Sequence, residues 1–132
     1  MPVTYQIDHA RGLIRTRCVG NVSFEEVAAH FRELERDPDR PDRLDVLLDL
    51  SEITSVPETA QLRLVRYEIE KIVGSLQFQA CAIVAQNDLL FGMMRMFEVF
   101  ARNYFTATRV FRVAADAEAW LALHESKSSP GK

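Results

Sequence analysis

The chain has 132 residues, 48% hydrophobic and 27% charged, which fits one globular domain burying roughly two-thirds of its unfolded surface. Its net charge of −3, with acidic and basic residues interleaved, leaves no basic stripe to neutralise phosphates, so nucleic acid is excluded as an expected partner. Two isolated cysteines, Cys18 and Cys81, make neither a metal framework nor a disulfide scaffold and read as small buried hydrophobes. The opening residues lack the charged start and apolar core of a signal peptide, and no apolar run is long enough to span a bilayer. A cytoplasmic location is the resulting expectation.

Val3 to Asp8 alternates Val3, Tyr5 and Ile7 with polar residues, the pattern of a strand with one face in water. A short turn ending in Gly12 leads to a second strand, Leu13 to Val19, and their closeness predicts an antiparallel hairpin. Arg15 and Arg17 share one face of it, which should be partly solvated. Between Asn21 and Asp37 the helix signal is clear: Ser23 and Glu26 form a capping box, with Val22 and Val27 placed as a hydrophobic staple. Phe24, Val27, Ala28, Phe31 and Leu34 then give an apolar stripe. The segment DPDRPDR ends that helix and crosses the surface.

Leu44 to Leu50 is the central strand. Leu44, Val46, Leu48 and Leu50 take one parity, and Asp45, Leu47 and Asp49 the other, as expected inside a sheet. A polar turn, Ser51 to Thr59, follows at the strand's carboxyl end, where open α/β sheets usually dock ligands and partners. Ser55 and Glu58 have capping-box spacing, Pro57 suits a first helical turn, and Glu58 falls at the positive end of a helix dipole. The second helix should bury Leu62, Val65, Ile69, Ile72 and Val73 and stop at Gly74. The unbroken apolar run Ala80 to Ala85 predicts a strand buried on both faces. Asn87 or Asp88 caps a third helix, Thr108 to Val113 is a last strand, and Asp116 opens a last helix through His124. Residues 1–124 therefore form the domain, and the small, polar stretch 125–132 is expected to be a disordered tail. The order is ββαβαβαβα: an α/β single domain with a mixed five-stranded sheet and right-handed βα crossovers.

The third helix is too apolar for one sheet. Around its axis only Arg95, Glu98 and Arg102 make a polar arc, and the apolar arc spans roughly 200°, about twice what packing on a sheet requires. Leu90, Phe91, Met93, Met94, Phe97 and Tyr104 are therefore candidates for a homodimer seam or for the wall of an apolar-ligand site. Of these the dimer is favoured, because few polar groups stand nearby to orient a ligand.

Catalytic chemistry is weakly signalled. The three histidines, His9, His30 and His124, lie far apart in the sequence and read as surface residues. No glycine-rich phosphate loop is present. Asp45 and Asp49 share a face of the central strand, where solvation or capping explains them better than acid–base work. No metal or cofactor is expected.

Taken together, the element order, the strand-turn-helix LLDLSEITSVPE, the segment AIVAQNDLLFGMMRMFE and the ending VFRVAADAEAWL resemble the SpoIIAA-like family of STAS-type domains. These are related in fold to anti-sigma-factor antagonists and compared with CRAL-TRIO lipid carriers. The resemblance implies a STAS-like βα superhelix over nearly the whole chain. In the antagonists a serine at the start of the helix after the central strand is phosphorylated, within an Asp-Ser-Ser-Gly pattern. Laid on that pattern, Pro57 takes the aspartate, Glu58 the phosphorylated serine, Thr59 the next serine and Ala60 the glycine. The acceptor is absent, and Glu58 supplies a permanent negative charge in its place.

The leading expectation is a non-enzymatic STAS-like module that binds a regulatory protein partner through Ser51, Thr54, Ser55, Glu58, Thr59, Arg63 and Arg66, and self-associates through the third helix. The alternative is a carrier of a small apolar or lipid-like ligand. A third reading, an enzyme using Asp49 and Glu58, is the weakest.

Overall fold

The computed structural model describes residues 2–72 and 76–128. Among them the elements run β1 (Val3–Asp8), β2 (Leu13–Gly20), α1 (Phe24–Arg36), β3 (Arg43–Ile53), α2 (Thr59–Ile72), β4 (Gln77–Val84), α3 (Asp88–Ala101), β5 (Ala107–Phe111) and α4 (Ala114–Ser128). They form a single α/β domain. The five-stranded sheet has the order β1-β2-β3-β4-β5. β1 and β2 make the antiparallel hairpin, and the other three strand pairs are parallel. Because each crossover moves one strand along in the same direction, same-handed connections lay α1, α2 and α3 on one face. The final helix, α4, covers the other face.

The two faces follow the parity of the strands. Leu44, Ile14, Cys18, Leu50, Cys81 and Ile83 join the core beneath the three helices. Leu13, Leu47, Ala80, Ala82 and Val84 pack under Ala117 and Leu121 of α4. β4 is buried on both sides, as its unbroken apolar run requires. Arg15 lies half-buried beside α4, with its Nε donating to Glu118 Oε2 at 3.2 Å, while Arg17 is exposed and pairs with Glu52. Where β3 and β4 lose register, between Leu44 and Val46, the buried Asp45 carboxylate accepts the Ala80 N–H at 3.0 Å. A side chain thus replaces a ladder acceptor that the irregularity removes.

Local signals set several ends. Ser23 caps α1, and Glu26 completes the reciprocal box. Asn87 caps α3, its Oδ1 accepting the Leu89 and Leu90 N–H groups at 2.8 and 3.2 Å. Gly12 takes φ 61 in the hairpin turn, a conformation that L side chains rarely adopt. The Tyr5 hydroxyl donates to Asp37 Oδ2 at 2.7 Å, fastening the connector after α1 to the edge strand.

Four expectations are corrected. Ser51 belongs to β3, not to the turn: the strand continues to Ile53, because its ladder with β2 extends to the Gly20–Ile53 pair. The loop is therefore residues 54–58. Ser55 is not a helix cap, and Pro57 precedes the helix. α2 begins at Thr59, the Leu62 N–H donates to the Glu58 carbonyl at 3.1 Å, and the Glu58 N–H is taken by Gln61 Oε1 at 2.8 Å. Gln61 supplies the reaching-back side chain expected of Glu58, which keeps its place at the positive end of the helix. His30 is not a surface residue but lies in the wall of the core, with Nδ1 buried and making no hydrogen bond. Finally, α4 extends to Ser128, four residues past His124, since no proline or glycine interrupts it there. The expected stop at Val73 and Gly74, and residues 129–132, lie outside the described residues.

Candidate functional site

Val46 and Leu48 occupy the middle of the central strand with three helices above them, yet neither is fully buried. The cause is the position of α2. Its nearest backbone neighbours are α1 and α3, and it makes no comparable approach to any strand. A cavity of about 360 Å³ separates it from the sheet. Thr16, Cys18, Val46, Leu48 and Cys81 form the floor, and Phe31, Leu62, Val65, Met94 and Phe97 contribute to the roof.

At the carboxyl ends of β2 and β3 the cavity meets a polar rim. Asn21, Val22 and Ser23 stand on one side, and Ser55, Val56 and Pro57 on the other. One side chain clasps the two loops. Ser55 Oγ accepts the Val22 N–H at 3.0 Å and donates to the Val22 carbonyl at 3.3 Å. A second bond, from the Thr54 N–H to the Gly20 carbonyl at 2.9 Å, holds the same pair of loops.

The walls are uncharged. No Asp, Glu, Lys or Arg is among the described residues that line the cavity. Burial lowers the His30 pKa to about 4, which leaves a neutral imidazole at physiological pH. Burial likewise pushes the thiols up, Cys18 to about 11 and Cys81 to about 12, so both remain protonated.

The residues singled out on the third helix divide. Leu90, Met94 and Phe97 are buried against the core and line the cavity. They face inward, toward the sheet and away from the helix's outer surface. Phe91, Met93 and Tyr104 are half-buried; Arg112 stacks over the Phe91 ring at 4.3 Å, and the Tyr104 hydroxyl donates to Glu70. The helix's outward apolar residues are others: Leu89, Met96 and Val99, exposed by 65%, 38% and 56%. Glu98, counted in the outer polar arc, instead accepts the Val110 N–H at 2.9 Å and ties α3 to β5.

The turn residues also part company. Thr54, Glu58, Thr59 and Arg63 are exposed, and Thr59 Oγ1 lies 3.8 Å from Met96 Sδ. Arg66 donates to the Tyr104 hydroxyl at 3.3 Å and helps join α2 to α3. Ser51 donates to Asp49 Oδ1 at 2.6 Å, and its N–H donates to the same atom at 2.9 Å, so the Asp49 carboxylate is engaged by its own strand end. Among the described residues no cluster of three metal-ligating side chains occurs, and no helix is long and apolar enough to cross a membrane. The cavity itself was missed as a set of residues. A usable signal existed, since Val46, Leu48, Cys18 and the inward positions of three helices all lie on one side of the sheet.

A mixed five-stranded sheet with sequential strand order, three helices on one face and one on the other, is the SpoIIAA-like fold. Among solved structures, the chain is similar to an uncharacterized protein of the DUF3478 family with a SpoIIAA-like fold from Shewanella loihica PV-4. The two share 17% sequence identity over 90% of this chain and 91% of that one, with a TM-score of 0.58. At that identity the likeness establishes the fold. No family model and no curated protein matches the chain.

Proposed function

We infer that the protein is a non-enzymatic binding module that holds a small apolar ligand between its sheet and α1 to α3. The observation that carries this is the accessible middle of β3 beneath a roof of helices, with about 360 Å³ of space between them. Apolar walls that face unfilled space lack the dispersion contacts of a close-packed core. Water entering from the rim finds few polar partners in such a space. A ligand that fills it restores the missing dispersion contacts.

Native mass spectrometry and organic extraction of freshly purified full-length chain test this reading. A co-purifying apolar molecule, lost when Val46→Trp fills the space, is the expected result. A chain that carries none and binds no apolar probe refutes it.

A second reading, docking of another protein or a second copy on the outer surface of α2 and α3, is favoured by the exposure of Leu64, Tyr67, Leu89, Met96 and Val99. Sedimentation velocity of wild type and Val99→Lys tests the self-association form of it. A monomer at micromolar concentration in both removes it.

A further inference from the structure

We propose that the molecule this cavity takes is uncharged and compact: an apolar body of about a dozen heavy atoms with one hydroxyl or carbonyl group, and neither a fatty-acid anion nor a phospholipid. The proposal rests on the cavity reading above and names the ligand class.

Size is the first argument. An apolar cavity of roughly 150 Å³ takes a benzene ring, and this one, at about 360 Å³, is a little over twice as large. At about 30 Å³ per water-sized group, that is room for a medium-length chain or a fused ring pair. A full-length acyl chain extends past the rim.

Charge is the second. An anionic head needs a cation or several free N–H groups to replace its water. Among the described residues the walls contain no arginine or lysine, and in the chain the rim residues Ser23 and Pro57 are followed by the acidic Glu25, Glu26 and Glu58. The two helix N-termini would otherwise attract an anion, but capping bonds already use N–H groups there. The Glu26 N–H donates to Ser23 Oγ at 3.2 Å, the Ser23 N–H to Glu26 Oε1 at 2.8 Å, and the Glu58 N–H to Gln61 Oε1. What the site does offer is neutral hydrogen-bonding chemistry: Thr16 in the floor and Asn21 at the rim, where the Ser23 and Ser55 hydroxyls are already held by Glu26 and Val22. These suit one hydroxyl or carbonyl oxygen at the end of an apolar body.

Isothermal titration calorimetry decides it. Full-length protein, stripped of co-purifying molecules, is titrated at pH 8 with decanol, decanoate, palmitate and phosphatidylcholine vesicles. Wild type is compared with Val46→Trp, and with Val65→Phe should the first variant fail to fold by circular dichroism. The expected result is decanol binding at least about tenfold tighter than decanoate, no binding of palmitate or vesicles, and loss of decanol binding in the filled variant. Decanoate, palmitate or vesicles binding as tightly as decanol overturns the uncharged, compact class and leaves the cavity reading in place. Decanol binding undiminished in a folded filled variant puts the ligand elsewhere and overturns the proposal. No binding of any probe by folded wild type overturns both.

Discussion

Adding one methylene to the floor of the cavity should stabilise the protein, whereas adding carbon to the opposite face of the same sheet should do the reverse. Val46→Ile keeps the β-branched shape that suits a central strand and extends it into open space beside Leu48. One buried methylene contributes about 0.8 kcal/mol, and the volume it fills adds a little more, so the ligand-free protein should gain about 1 kcal/mol. With a urea dependence of about 2 kcal/mol per molar, the unfolding midpoint should rise by roughly 0.5 M at unchanged slope. Ala82 provides the contrast: it lies on the α4 side with no exposed surface. Ala82→Val must push against a close-packed neighbourhood and should cost about 1–3 kcal/mol. If Val46→Ile lowers the midpoint by a similar amount, the space above β3 is already filled by the chain's own atoms, and the argument from the cavity fails.

Other expectations follow from single interactions. Ser55→Ala removes both bonds to Val22 and should cost about 1–2 kcal/mol, with faster amide exchange at Val22; Glu58→Ala, at an exposed site, should stay within about 0.5 kcal/mol. His30 is held neutral, its pKa lowered by burial from 6.5 to about 4. The unfolded chain therefore binds a proton that the folded one refuses as pH falls from 6.5 to 4. Over that window wild type should lose up to roughly 3 kcal/mol relative to His30→Leu, read as the difference between their urea midpoints at pH 7 and pH 4; a constant difference refutes the buried placement of the ring. Cys18 and Cys81, with thiol pKa values raised by burial to about 11 and about 12, should react with a thiol reagent at pH 8 at least about a hundredfold more slowly in the folded chain than in urea. By the same linkage, their contribution to stability is intact below the unfolded thiol pKa and declines as pH rises above it.

The order of elements, the Ser23–Glu26 and Asn87 caps, the hairpin and the double burial of β4 were all legible in the sequence. Each depends on residues a few positions apart, where periodicity and capping chemistry act directly. What the sequence could not supply was distance and rotation between elements. An apolar arc on α3 says how much surface must be hidden but not which side meets the sheet. The fold turns Leu90, Met94 and Phe97 inward and leaves Leu89, Met96 and Val99 outside. Ser55 has the spacing of a cap, yet a backbone 33 positions away claims its hydroxyl first. The standoff of α2, and with it the cavity, is set by how α1 and α3 wedge it from both sides. That position is a sum of non-local contacts with no local signature in residues 59–72.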